Sequence, residues 1–319
     1  MTVVDKGRIR VGVIGVGSLG QWHAKVYSQM PGAALVGVYD VEHERAVKIA
    51  GSYGGKAFET MDALAEEVDA VSVVVPTDRH HEVFLALAAR GLHMLVEKPI
   101  AATMAQAGEM IRVARERSLV LQVGHVERFN PVMRFLEDHL KTPRFIEAIR
   151  LAPYPAPRAE GPPRGTEVSV VFDLMIHDLE IILHLVNSPI REIHAIGVPV
   201  LSTTEDIANV RLVFQNGCVA NVTASRISQE RMRKIRVFQS DTYVSLDYMN
   251  QAGQLCRKTA KGIEVVPVPI EKGEPLAAEL ASFIQCVRTR KDPVVSGVQA
   301  SEALRLAAEI CGHIQKSPS

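Results

Sequence analysis

The sequence has no excess charge of either sign. Its 36 Lys+Arg are balanced by 36 Asp+Glu, so there is no electrostatic reason to expect nucleic acid or an anionic membrane as a partner. Cysteine is scarce. Cys218, Cys256, Cys286 and Cys311 stand apart, with no CxxC and no metal-ligand spacing, which points to reduced thiols in a cytoplasmic protein. No segment reaches the run of about 18 apolar residues that a membrane helix requires. The opening MTVVDKGRIRVGVIGVG does not read as a signal peptide, because its short apolar run leads into a glycine loop and not a cleavage site. Internal repeats and low-complexity tails are missing as well.

What is present is core-forming material. Hydrophobic residues make up 47% and charged residues 23% of 319 positions, enough for one large or two ordinary domains. The first third alternates strand and helix signals. IRVGVIG (9–15), ALVGVYD (34–40), AVSVVVPT (70–77), HMLVEKP (93–99) and LVLQVGH read as strands, separated by periodic helical stretches. That alternation predicts a parallel sheet covered on both faces. After about residue 124 the pattern changes. FNPVMRFLEDHL reads as a helix and RFIEAIRLAP as a strand, followed by a proline-rich loop at 152–165 and another helix. Strands then follow one another in IREIHAIGVPV, IANVRLVFQNGCVANVTAS, RKIRVFQSDTYVSLDY and GIEVVPVPI, with a hairpin signal at Asn216-Gly217. Two amphipathic helices close the chain. The expected fold class is α/β: a Rossmann domain over 1–124, then an α+β domain over 125–319 with a largely antiparallel open sheet.

Within VGVIGVGSLG, Gly15, Gly17 and Gly20 match G-x-G-x-x-G, and Asp40 follows at the end of the second strand. The pattern alone is weak. Between a strand and a helix, with an acidic residue 20 positions past the last glycine (40 − 20), it is the dinucleotide fingerprint. Gly15, Gly17, Ser18, Leu19 and Gly20 would cradle a pyrophosphate at the helix N-terminus, and Asp40 would accept from the ribose hydroxyls. A 2′-phosphate would be repelled there, and the nearest arginine is Arg45. The expected cofactor is therefore NAD.

Two further features point to chemistry. Lys98, in Glu97-Lys98-Pro99, closes the fourth strand, on the side where open α/β sheets hold their ligands. Taken alone, it reads better as a surface lysine. In VVFDLMIHDLEII (170–182), Asp173 and His177 stand four apart in a very apolar segment, so on a helix they share a face. A helix-surface ion pair is the plainer reading of that spacing, and His184 further along reads as a packing histidine. Asp178 and Glu180 read as solvent-facing or structural. A metal held by Asp173, His177, Glu180 and His184 is a rival reading, but a Lys–His dehydrogenase site needs no metal, and none is expected. A histidine near neutral pKa suits removal of the alcohol proton while hydride leaves carbon. Lys98 would steady the oxygen, and Asp173 would hold Lys98 or His177.

GVGSLG, EKP at 97–99 and D-x-x-x-H at 173–177 together resemble the Gfo/Idh/MocA family of NAD(P)-dependent oxidoreductases. The resemblance covers nearly the whole chain. It implies that Lys98, Asp173 and His177 form the catalytic group. It also implies that Pro76, Thr77, His80, Glu97 and Lys98 join the glycine loop around the cofactor, although the family more often has asparagine where Thr77 stands. GHVERFNP (124–131) likewise resembles the family and implies that His125, Arg128 and Asn130 line the substrate side. Arg158 and Arg164 in the proline-rich loop suit phosphate oxygens, or simply a solvated connector. RISQERMRKIR (226–236) reads as an exposed strand edge.

Within the family, the resemblance is nearest to bacterial nucleotide-sugar members. It implies oxidation of the 3-hydroxyl of UDP-N-acetylglucosamine, on a route to amino-substituted lipid A. A free polyol is the alternative within the family, and a non-catalytic NAD(H) sensor is the alternative outside it. The uncovered face of the second sheet predicts a homodimer or homotetramer.

Overall fold

A computed structural model describes residues 7–157, 163 and 165–316. Arg158 and Arg164 lie outside the described residues. The chain divides into two compact units, the first comprising residues to Val126 plus Glu274–Ser301, the second Glu127–Gly273 plus Glu302 onward.

In the first unit, β1 (Ile9–Ile14), β2 (Ala33–Tyr39), β3 (Lys56–Ala57), β4 (Ala70–Val73), β5 (His93–Glu97) and β6 (Leu121–Gly124) form an all-parallel sheet in the order β3-β2-β1-β4-β5-β6. Helices α1 (Gly20–Gln29), α2 (His43–Tyr53), α3 (Met61–Ala65), α4 (Thr77–Ala89) and α5 (Met104–Glu116) fill the crossovers. β4 is buried at every position, as a central parallel strand should be. It ends at Val73, short of the expected 77, where its pairing partner ends at Ile14. The two-residue β3 and five-residue α3 are too short to show a period in the sequence.

The boundary expected at 124/125 needs correction, because Glu274–Ser301 belongs to the first unit. Helix α8 (Pro275–Thr289) buries Leu280, Phe283, Ile284 and Val287 against Val11, Val13, Ala24 and Tyr27. Each such side chain contributes roughly 1.5–3 kcal/mol on burial. The segment after it covers the edge of β6, with the Val123 N–H donating to the Val295 carbonyl at 3.0 Å. An amphipathic helix and an open strand edge each needed covering. A linear reading cannot see that a distant segment supplies both.

The second unit is built on eight strands: β7 (Phe145–Leu151), β8 (Ile190–Val198), β9 (Ile207–Phe214), β10 (Val219–Ser225), β11 (Met232–Phe238), β12 (Thr242–Asp247), β13 (Ala252–Thr259) and β14 (Gly262–Pro267), ordered β14-β13-β12-β11-β7-β10-β9-β8. Every pairing is antiparallel except that of β7 with β10. The Asn216-Gly217 hairpin joins β9 to β10. β13, with its polar QLCRKT, gave no strand signal. The stretch 226–236 is not an edge: β11 lies inside the sheet between β7 and β12, and Arg226 is 2% exposed.

One face of this sheet carries the core. Ile146, Ala148, Val210, Leu212, Ala220, Val222, Ile235 and Val237 meet α6 (Pro131–His139), α7 (Ile176–Val186) and the later part of α9 (Gly297–Lys316), whose Leu306, Ala307 and Ile310 are fully buried. Among the described residues, no helix is long and apolar enough to cross a membrane.

Candidate active site

The glycine loop fits a dinucleotide. Gly15 follows β1 at φ +82°, where a Cβ would stand 2.5 Å from the Val74 carbonyl, so only glycine fits. A Cβ on Gly20 would collide with the Gly15 carbonyl oxygen, so the third glycine lets α1 start against the loop. Gly17 differs: a Cβ there would meet nothing within 4 Å. The space over Gly17 is where a pyrophosphate would approach backbone N–H groups, and Leu19 places no capping side chain over the start of α1.

Asp40 fixes that loop as well as facing the expected ribose. Its Oδ2 accepts the Val16 N–H at 2.8 Å and its Oδ1 the Glu42 N–H at 3.0 Å. Arg45, one turn into α2, reaches Asp40 Oδ1 at 3.1 Å. The arginine that looked remote in sequence therefore stands at the adenosine end of the cleft.

At the carboxyl end of β4, Pro76 is exposed and Thr77 half-buried, so both are accessible at the cofactor side. His80 is not. It is 1% exposed, with Nδ1 at 2.9 Å from the Pro99 carbonyl and Nε2 at 2.9 Å from the Val75 carbonyl. Its expected contact with the cofactor is corrected to a tie between two loops, one carrying Thr77 and the other Lys98. Burial lowers its pKa against the pull of those carbonyls, and a neutral ring donates through one nitrogen at a time.

Glu97 ends β5 and bears on the lysine after it. Its Oε2 accepts the Lys98 N–H at 3.2 Å, and its Oε1 lies 3.2 Å from Nε2 of the buried His23. Burial alone would raise the Glu97 pKa, but the His23 hydrogen bond and the charges of His23 and Lys98 hold it below the usual carboxylate range. Gly124 on the neighbouring strand leaves room for this carboxylate, since a Cβ there would lie 3.0 Å from it. Glu279 of α8 is fully buried, and neither carboxyl oxygen has a hydrogen-bond partner. Burial, with the Glu97 charge added, drives its pKa well above the ordinary range. Of this pair, Glu97 is the anion and Glu279 the neutral acid. Lys98 is half-buried at the surface of this unit, and His125, just past β6, is 1% exposed.

In the second unit the helix bearing Asp173 and His177 does not begin as an α-helix. Val171–Met175 is a π-helical turn in which the Ile176 N–H donates to the carbonyl of Val171, five residues back. Residues four apart overshoot a 3.6-residue turn, and the wider turn reduces that overshoot. It therefore brings Asp173 and His177 nearer to alignment than a regular helix would. Both are half-buried, in contrast to Asp178 and Glu180 at 2% exposure each.

Those last two are not solvent-facing. Arg150 of β7 grips Asp178 through Nε–Oδ2 at 2.7 Å and Nη2–Oδ1 at 3.1 Å, and donates to Glu127 at 3.0 Å. Arg128 donates to Glu180 at 2.7 Å. The expected substrate contacts of Arg128 and Asn130 are corrected accordingly. Asn130 caps α6 by accepting the Val132 N–H, while its amide donates to Glu127 and to the Tyr248 carbonyl. Asn130 is engaged on both sides of its amide inside the unit, and the Arg128 guanidinium, 7% exposed, is paired there with Glu180 and Glu137, as a buried charge requires. His184 pairs with Glu137 at 2.9 Å, which splits the proposed metal stripe. No group of three or more potential metal ligands occurs among the described residues.

Sequence reasoning missed Arg150, Glu127, Arg226 and Asp206. A signal existed for the two arginines. Arg150 is in phase with the inward Ile146 and Ala148, and Arg226 with the inward Ala220, Val222 and Ala224, so period-2 counting places both on the buried face.

Comparison with known proteins agrees with this layout. Residues 9–125 match the family model described as an oxidoreductase family with an NAD-binding Rossmann fold, and residues 138–244 match the GFO/IDH/MocA C-terminal domain. The chain is 36% identical over 309 residues to UDP-N-acetylglucosamine 3-dehydrogenase of Acidithiobacillus ferrooxidans, covering 95% of this chain and 96% of that one. A solved structure of that enzyme superposes with a TM-score of 0.90 at 35% identity, over 97% of this chain and 98% of the other. The scyllo-inositol 2-dehydrogenase (NAD(+)) of Bacillus subtilis is 26% identical, covering 92% of this chain and 90% of its own.

Proposed function

The chain belongs to the Gfo/Idh/MocA oxidoreductases and is an NAD-dependent sugar dehydrogenase, and from that premise we propose that its substrate is UDP-N-acetylglucosamine, oxidised at the 3-hydroxyl to a ketone. The observation that carries this reading is end-to-end similarity to an enzyme named for that reaction, at 36% identity over 95% of the chain. The similarity spans both the glycine loop and the Asp173–His177 segment.

NAD, when bound, accepts the hydride from the carbinol carbon. His177 removes the hydroxyl proton through an imidazole nitrogen, and the bond pair left on oxygen becomes the second C–O bond of the ketone. The Lys98 ammonium donates to that oxygen and stabilises its negative charge as the proton leaves. Asp173 holds the charged partner in place. Glu97, anionic and bonded to the Lys98 N–H, fixes the backbone from which the lysine extends.

The inositol dehydrogenase relative supports a second reading, a free polyol substrate. One assay separates the two. The purified protein is incubated with NAD and, in parallel, UDP-N-acetylglucosamine, other UDP-sugars and inositols. NADH formation with UDP-N-acetylglucosamine, and a product lighter by two hydrogens, is the expected result. Turnover of inositols alone would replace the nucleotide-sugar reading with the polyol one. NAD binding without turnover of any compound would favour a sensor. His177→Ala is expected to abolish turnover while leaving NAD binding in place, and Lys98→Ala to abolish turnover.

A further inference from the structure

Arg226 is the largest fully buried side chain among the described residues, and all five of its N–H donors are engaged. Nε donates to Asp206 Oδ1 at 2.8 Å; Nη1 donates to the carbonyls of Gly165 at 2.5 Å and Val168 at 2.8 Å; Nη2 donates to Ser202 Oγ at 2.9 Å and Thr204 Oγ1 at 2.8 Å. Asp206 is 0% exposed. Its Oδ2 also accepts the backbone N–H groups of Val200, Leu201 and Ser202. Thr204 completes the knot by donating to the Val168 carbonyl at 2.9 Å. An arginine fork suits this arrangement because it is planar and fixed, whereas a lysine offers one point charge.

What the knot holds is the chain entering the helix of Asp173 and His177. Gly165 sits at φ +83°, where a Cβ would lie 2.5 Å from Asp173 Oδ2. The backbone at Gly165 is therefore a wall against the Asp173 carboxylate, and the Arg226 guanidinium fixes that wall. Ser169 then starts the helix, its Oγ accepting the Val171 N–H at 3.2 Å.

We propose that Arg226, braced by Asp206, is a positioning residue for catalysis: through the Gly165 and Val168 carbonyls it sets the place of the Asp173 carboxylate and so the aim of the Asp173–His177 pair. This rests on the catalytic reading of Asp173. The knot lies entirely in the second unit, so NAD binding by the glycine loop is independent of it.

The test uses the full-length enzyme with NAD and its sugar substrate, at a temperature well below each variant's Tm. Arg226→Lys, Thr204→Val and Gly165→Ala are compared with Asp173→Asn. Displacing a catalytic group by about 1 Å costs up to about a hundredfold in rate. Accordingly, Arg226→Lys and Gly165→Ala are expected to lower kcat by about tenfold to a hundredfold and to shift the pH profile of kcat, with the Kd for NAD unchanged. Thr204→Val keeps the arginine and is expected to show a smaller loss of the same kind. Gly165→Ala keeps every side chain of the knot and presses on Asp173 directly, so it keeps the proposal testable if Arg226→Lys fails to fold. A lowered Tm with wild-type kcat and pH profile in Arg226→Lys or Thr204→Val would make the knot merely structural and overturn the proposal, as would wild-type kcat in Gly165→Ala. Wild-type turnover by Asp173→Asn would overturn the catalytic assignment and the positioning role with it. Loss of turnover in Asp173→Asn with the other three unaffected would overturn the positioning role alone.

Discussion

Arg150 and Asp178 form a two-pronged ion pair, at 2.7 and 3.1 Å, with each side chain only 3% exposed. The aspartate follows His177 directly in sequence, so the pair pins the helix of the proposed base to strand β7. Removing one partner of a buried pair leaves a charge without compensation. Asp178→Ala is expected to lose about 3–5 kcal/mol of unfolding free energy, measured by urea denaturation. Because Arg150 also holds the buried Glu127 at 3.0 Å, the triple variant Arg150→Met, Asp178→Leu and Glu127→Gln is expected to recover most of that loss, since well-packed uncharged residues often replace a buried ionic group at little cost.

Glu279 ties stability to pH. Its pKa in the folded chain lies above its ordinary value of 4.5, chiefly through burial. At pH below about 4.5 the carboxyl is protonated in folded and unfolded chains alike, and its contribution is intact. As pH rises the unfolded chain ionises first, so stability is lost progressively up to the raised folded value. Glu279→Gln keeps the neutral shape at every pH. Its Tm is expected to match that of the unmodified chain in acid and to exceed it at neutral pH by a few degrees, the effect of roughly 1 kcal/mol in a chain of this size.

The glycine loop separates folding from binding. A Cβ at Gly20 meets the Gly15 carbonyl, whereas one at Gly17 meets open space. Gly20→Ala is expected to lower Tm and Gly17→Val to leave it unchanged. Both are expected to weaken NAD binding at least about tenfold, the second by filling the space a pyrophosphate needs. Calorimetric titration with NAD, alongside thermal melts, checks both.

The eight-stranded sheet carries aromatic residues on the face turned away from its core. Phe238 lies between Phe145 and Tyr243, with ring centroids at 5.6 and 4.7 Å, out of phase with the buried Val237 and Val244. A homodimer or homotetramer through this face is expected. Light scattering on Phe238→Glu is expected to give the monomer mass; a monomer already in the unmodified chain would contradict the assembly.

Much of this was legible in the sequence because it is local. Strand and helix periods, the glycine fingerprint with Asp40, and the hairpin at Asn216-Gly217 each depend on residues close in the chain and on rules of backbone geometry, whereas Lys98, Asp173 and His177 gained their expected roles only through resemblance to the family. The local rules determined a Rossmann unit with a dinucleotide site followed by an α+β unit; the dehydrogenase reading came from resemblance to the family.

The tertiary structure decided which charges are structural. Asp178, Glu180, Arg128 and Arg226 look like surface residues in one dimension, since a charged residue is buried only when a partner awaits it, and the partners lie on other elements. Arg226 and Gly165 are 61 positions apart, and Arg150 and Asp178 are 28 apart. It also decided that α8 returns to the first unit, because only the assembled sheet shows which apolar surface and which strand edge remain to be covered. Hydrophobic period and turn chemistry act over a few residues, whereas desolvation of a charge is settled by whatever the whole fold brings beside it.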